Sequence, residues 1–362
     1  MARSSQEDPS KIRLKRTYAA TFHPHLCPKS PEYSVAGYCT KGCGNLYAIV
    51  LERSKRLLHD CSGFAMIVPI SIIGNSRMKP CLDLFQNGDI WFSSFSGDTH
   101  PGTLFSGVQQ NLSIFVYHLD GLCRQYATDF IRFADSGGER HVVFSSKIRY
   151  QKSRHKELAL KVGTPILSKI IAAYPQTARV TQLAEMDRTS SDAIYYHDVV
   201  HYWMKAFSTA PFFQRQGCKP EVSGHYKLLN CRRHFKKSLS AILSSSMFYI
   251  WYVVRSNGRD VSREDVLSFS IDLQGLIDDS NDALTRLSER LVRDFEKNKE
   301  RVKYQKASGC VTYDQYWISK SKPIIDEIDE LLAKHYGFTE EELDFIINYD
   351  IKYRMGDELN AE

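Results

Sequence analysis

GFAMIVPIS at residues 63–71, DIWFSSF at 89–95 and LSIFVYHL at 112–119 are the stretches whose reading decides the fold. The first is a short apolar run after the Ser62–Gly63 break, and it reads as a buried parallel strand. The other two read as strands around a polar loop, GDTHPGTLFSGVQQN, at 97–111. Working outward, GNLYAIVLERSKRLL at 44–58 places Leu46, Ile49, Val50, Arg53 and Leu57 at helical spacing, with Asn45 as the N-cap. A second helix is predicted over residues 78–85. Helix, strand, helix, strand, strand is half of a doubly wound α/β sheet.

Beyond residue 140 the periodicity weakens. Short apolar runs mix with Tyr, Trp and dispersed basic residues, apart from LSAILSSSMFYIWYVV at 239–254, which suits one buried helix. SREDVLSFSI at 262–271 opens with a Ser–x–x–Asp capping box. DALTRLSERLVRDFEKNKERVKYQ at 282–305 alternates apolar and charged residues as an exposed amphipathic helix does. Two more helices follow, with Gly337 as the C-cap of the first and Thr339 as the N-cap of the second. Residues 1–35 are polar, basic and aperiodic, a loose leader.

The 43% hydrophobic and 25% charged fractions are those of a globular chain, long enough at 362 residues for two compact domains. No apolar run reaches the roughly 18 residues a membrane span needs, and the basic N-terminus lacks the apolar core of a secretory signal. The cytoplasm is the expected compartment, and nine scattered cysteines fit reduced thiols there. The net charge of +6 is unevenly spread. Residues 145–265 hold 20 Lys/Arg against 9 Asp/Glu, whereas 324–362 hold 12 Asp/Glu against 3 Lys/Arg. A basic middle and an acidic tail suggest a polyanion-binding surface followed by a solvated end.

The ordered series 44–58, 63–71 and SSFSGDTHPGTLFSGVQQNLSIFVY (93–117) resembles the region downstream of the catalytic motif in type II restriction–modification N6-adenine DNA methyltransferases. IYYHDVVHYWMKAF (194–207), SSSMFYIWYVV (244–254), SREDVLSFSIDL (262–273) and the run 321–354 continue the resemblance over about residues 30–355. It implies an α/β chain in four parts. Residues 36–139 would be the C-terminal half of a Rossmann-like methyltransferase sheet. Residues 140–270 would be an α+β target-recognition domain, and 271–362 a helical C-terminal extension, with 1–35 as the leader.

That family's catalytic tetrapeptide is Asn/Asp–Pro–Pro–aromatic, and no Pro–Pro pair occurs in this sequence. Nor is there room upstream of Asn45 for the strands that bind S-adenosylmethionine. The chain is therefore expected to bind no cofactor and to methylate nothing by itself. S-adenosylmethionine would belong to the complete enzyme, and a separate N-terminal half in trans would supply it. The alternatives are a non-catalytic specificity subunit that binds duplex DNA, or a decayed remnant of a longer methyltransferase gene. No membrane partner is expected.

By its position in the 97–111 loop, the resemblance makes Phe105 the ring that stacks on an extruded adenine, since an unstacked base loses a few kcal/mol unless restacked. The plain alternative is a core residue that anchors the loop. Pro69 and Ser71 match the family's turn after its fifth strand and read as architectural. The expected DNA contacts are Lys147, Arg149, Lys152, Arg154 and Lys156, together with Arg232, Arg233, Lys236 and Lys237; a solvated face is the alternative for either cluster. Zinc ligation by His23, His25, Cys27, Cys39 and Cys43 lacks knuckle spacing. Cys61, Cys81 and Cys123 read as small core residues, and Glu52 and Arg53 as members of a surface or structural ion pair.

Overall fold

A computed structural model describes residues 35–59, 62–97, 103–105, 108–119, 121–132, 142–144, 148–152, 159–175, 179–180, 193–280, 282–307 and 309–356. Its N-terminal part is a five-stranded sheet. Strands β1 (Gly63–Pro69), β2 (Asp89–Phe95), β3 (Leu112–His118), β4 (Gln125–Ile131) and β5 (Gln151–Lys152) lie in the order β1-β3-β2-β4-β5. β3 runs antiparallel to both β1 and β2, β2 and β4 are parallel, and β5 is antiparallel to β4. Helices α1 (Leu46–Arg56) and α2 (Lys79–Leu84) share a core with this sheet. Phe85 at its centre meets Phe115 and Tyr117 edge-on, at 4.9 Å in each case.

The expectation of a buried parallel strand at 63–69 is corrected. Among the described residues β1 pairs only with β3, antiparallel, and Ile67 is 48% exposed. The cause is the loop after β2, which returns β3 to the slot between β1 and β2 and leaves β1 at the edge. Asn45 holds the N-cap position of α1, yet its side chain makes no capping bond.

Residues from 193 onward build two small sheets packed among helices. β6 (Ala193–His197), β7 (Ala206–Phe207) and β9 (Tyr226–Asn230) form the antiparallel order β7-β6-β9. β8 (Phe213–Arg215), β10 (Lys299–Lys306) and β11 (Gly309–Tyr316) form the order β10-β11-β8. The helices are α3 (Pro165–Ala173), α4 (Lys236–Leu243), α5 (Ser246–Arg255), α6 (Arg263–Leu267), α7 (Leu273–Ser280), α8 (Ala283–Asn298), α9 (Lys322–Tyr336), α10 (Glu340–Ile347) and α11 (Ile351–Met355). One apolar core runs through this part and also takes in Ile70 and Phe130 beside the first sheet. No helix of the described residues is long and apolar enough to cross a membrane.

Two helix expectations change. Residues 239–254 are not one helix but α4 and α5, broken at Ser244–Ser245. Ser245 Oγ accepts from Phe248 N and so caps α5, which a run of three serines favours over helix continuation. Every residue of α5 from Ser246 to Val254 is buried. The expected exposed helix over 282–305 ends at Asn298, and 299–306 is strand β10. Cross-strand pairs Val302–Tyr313 and Tyr304–Val311, with Lys299 and Arg301 both paired to buried Asp314, outweigh helix propensity there. The segment after residue 271 thus carries a hairpin among its helices. The cap expectations hold: Ser262 with Asp265 and Thr339 with Glu342 form capping boxes, and Gly337 takes φ 68°.

Candidate nucleic-acid interface

The carboxyl end of β1 meets the loop before β3 at a small pocket of about 220 Å³, lined by the polar Ser71, Gln109, Gln110, Asn111, Asn257 and Arg259 together with the apolar Pro69 and Ile70. Buried Asn111 organises it. Its carbonyl accepts from Ile70 N at 3.0 Å, its Oδ1 from Gly97 N at 2.8 Å, and its Nδ2 donates to Asn257 O at 2.9 Å. A side chain at Gly97 would run into Gln110 O, and Gly258, at φ +71°, turns the chain tightly over Asn111. Ser71 Oγ lies 3.0 Å from Tyr47 Oη, and burial pushes the Tyr47 hydroxyl well above its ordinary pKa. Amide and hydroxyl groups around the pocket offer both donors and acceptors, which suits a planar polar ligand. Arg259 stands exposed at the rim and has no acidic partner among the described residues.

Phe105 sits in the same loop. Leu104 is 7% exposed and packs with Phe95, Leu112, Ile131 and Val143, whereas Phe105 is 43% exposed. Leu104 is therefore the loop's anchor, and Phe105 leaves its ring in solvent. Phe105 O accepts from Val108 N at 3.1 Å, and Gln109–Asn111 follow at the pocket.

The basic candidates divide between two sheets. Arg149 and Lys152 are exposed at β5, the edge of the five-stranded sheet. Arg232 and Arg233 are exposed after β9, with no ion-pair partner among the described residues. Lys236 is half-buried, and Lys237 is paired with Glu289 at 2.6 Å. Lys147, Arg154 and Lys156 lie outside the described residues, as do His23, His25, Cys27 and Cys61. Cys39 is exposed, with its sulfur 3.6 Å from Glu52 Oε2, and Cys43 is buried. Cys81 is a core residue, and burial pushes its thiol up to about 12. Cys123 is exposed, which corrects its reading as core. Glu52 pairs with Arg56 at 2.5 Å rather than with Arg53, because residues four apart share a helix face. It is buried, and it also accepts from Thr40 N and Thr40 Oγ1.

Some features escaped the sequence reading. Lys161 is wholly buried and donates to Ser256 O at 2.5 Å; burial drives its pKa down to about 7. His197, Asp198 and His225 place three potential ligand atoms within 4.8 Å of one another. Asp198 is already bound there, by Lys227 at 3.1 Å and His225 at 3.2 Å. Burial first, then the charge of Lys205, lowers His197 to about 4, so its ring is neutral at pH 7. A cation held by these three would have to displace Lys227 and sit near Lys205. No periodic signal marks either group, since both are assembled by β6–β9 pairing and by the α5 carboxyl end. No protein-family model matches this chain, and no curated protein sequence matches it.

Proposed function

We propose that this chain is the DNA-contacting, target-recognising part of a site-specific adenine-N6 methyltransferase of the restriction–modification kind, whose base-holding and donor-binding parts lie outside these 362 residues. The observation that carries the reading is the polar pocket at the carboxyl end of β1, next to the loop that presents Phe105 to solvent. Ligands of α/β sheets sit outside the carboxyl ends of strands. The recess offers edge hydrogen bonds, and Phe105, in the loop that also supplies Gln109–Asn111, offers an exposed ring; an extruded base requires both. The order β1-β3-β2 with an antiparallel middle strand is compatible with the terminal half of a doubly wound sheet. Because no Pro–Pro pair is present in these 362 residues, the base-holding tetrapeptide and the S-adenosylmethionine site would lie outside them.

Arg232 and Arg233 would contact phosphates, being exposed and without acid partners among the described residues. Duplex DNA binding measured by fluorescence anisotropy across a salt series tests this. The expected result is affinity falling steeply with salt, with the slope reduced by about 2 in the double variant Arg232→Gln/Arg233→Gln. Absence of salt-dependent duplex binding would sink the reading. A non-catalytic specificity subunit makes the same contacts. Methylation of DNA on mixing this chain with a donor-binding half separates the two.

A further inference from the structure

A cleft of about 600 Å³ opens between the paired strands β6 and β9 and one face of the β8–β11–β10 sheet. Strand register fixes what that face displays. Phe213 lies opposite Tyr313, and Tyr304 opposite Val311; directly opposed residues share a face, as do residues two apart. Phe213, Tyr313, Val311 and Tyr304 therefore form one apolar, largely aromatic surface. Trp317 continues it past the end of β11. Tyr304 is 55% exposed and Trp317 40%, a costly display of large rings for a surface with nothing to bind.

The charges around the cleft are one-sided. Lys205 and Lys306 both line it, and neither has an acid partner among the described residues. Lys205 is half-buried, and burial lowers its pKa, so an anion beside it would be welcome. The carboxylate at the wall, Asp314, is already neutralised by Lys299 at 2.9 Å and Arg301 at 2.7 Å.

We infer that this cleft binds an unpaired stretch of nucleic acid, with bases stacked on Tyr304, Tyr313 and Trp317 and backbone phosphate at Lys205 and Lys306. Flat rings on a sheet face tolerate any base, while the lysines track the backbone. A greasy peptide would fill the rings but leave the two lysines without counter-charge. The inference rests on the nucleic-acid reading above for its choice of ligand, but it concerns single strands and a different surface.

Titration of the full chain with an oligothymidylate, followed by tryptophan fluorescence, tests it, because Trp203 and Trp317 line the cleft. Saturable quenching is expected, with none from inorganic phosphate. Tyr304→Ala should weaken binding about tenfold, as loss of one stacked base does, while Tyr304→Phe keeps it. Lys205→Gln should weaken it as well. Tyr304 is exposed on an edge strand, so its variants are expected to fold. Lack of quenching, an unaltered affinity in Tyr304→Ala, or equal binding of a matched duplex at this cleft would each overturn the inference. The Arg232→Gln/Arg233→Gln variant should weaken duplex binding, with the smaller salt slope given above, and keep the quenching. Quenching in a chain that never binds duplex DNA would refute the methyltransferase reading and leave this one standing.

Discussion

The pocket at the end of β1 and the cleft beside β10–β11 are built by opposite means. The first is small, polar and pinned by one buried asparagine that ties three separate stretches together. The second is wide and aromatic, and strand register shapes it. The polar pocket should thus be brittle to mutation of its organiser. The aromatic cleft should tolerate substitutions of its lining structurally and report them only in binding.

The sharpest break of this comparison is Asn111→Leu. It removes the side-chain acceptor for Gly97 N and the donor to Asn257 O in a buried setting, and a loss of about 3 kcal/mol by urea denaturation is expected. A loss below about 0.5 kcal/mol would mean that the pocket is held by something other than Asn111.

Next in size is Lys161, which lies behind the Asn257 turn. Its folded pKa of about 7 is far below the ordinary 10.5, so folding expels a proton. The resulting penalty is full below pH 7, shrinks as pH climbs from about 7 towards 10.5, and is gone above that. Lys161→Met should accordingly raise stability by about 2 kcal/mol at pH 6, a gain that fades by pH 10. A pH-independent difference between the two proteins would show that Lys161 does not titrate as described.

The smallest effect sharpens the contrast within one loop. Phe105→Ala should change stability by less than about 0.5 kcal/mol, whereas Leu104→Ala should cost about 2 kcal/mol. Matching thermal melts would mean that the two neighbours share the anchoring of the loop.

Local chemistry made much of the fold legible. The Ser262–Asp265 and Thr339–Glu342 boxes, Gly337 and the strands at 89–95 and 112–118 are specified by residues within a few positions of one another. Misreadings fell where distant partners intervene. Residues 299–305 carry a helix-like charge pattern, but cross-strand partners from 311–316 and the buried Asp314 make them a strand. At the candidate site, the resemblance singled out Phe105, but nothing in the sequence marked Asn111, whose role depends on residues 70, 97 and 257 arriving together.

What the sequence determined by itself is the strands at 89–95 and 112–118, the Ser262 and Thr339 capping boxes with the Gly337 C-cap, and a basic middle with an acidic end, because these follow from nearest-neighbour sterics, hydrogen bonding and charge. Tertiary structure alone decided that β3 slots between β1 and β2, that Leu104 rather than Phe105 is buried, and that Tyr304, Tyr313 and Phe213 share a face. Those outcomes depend on which strands pair and in what register, and a one-residue slip in register would turn each of those rings to the opposite side.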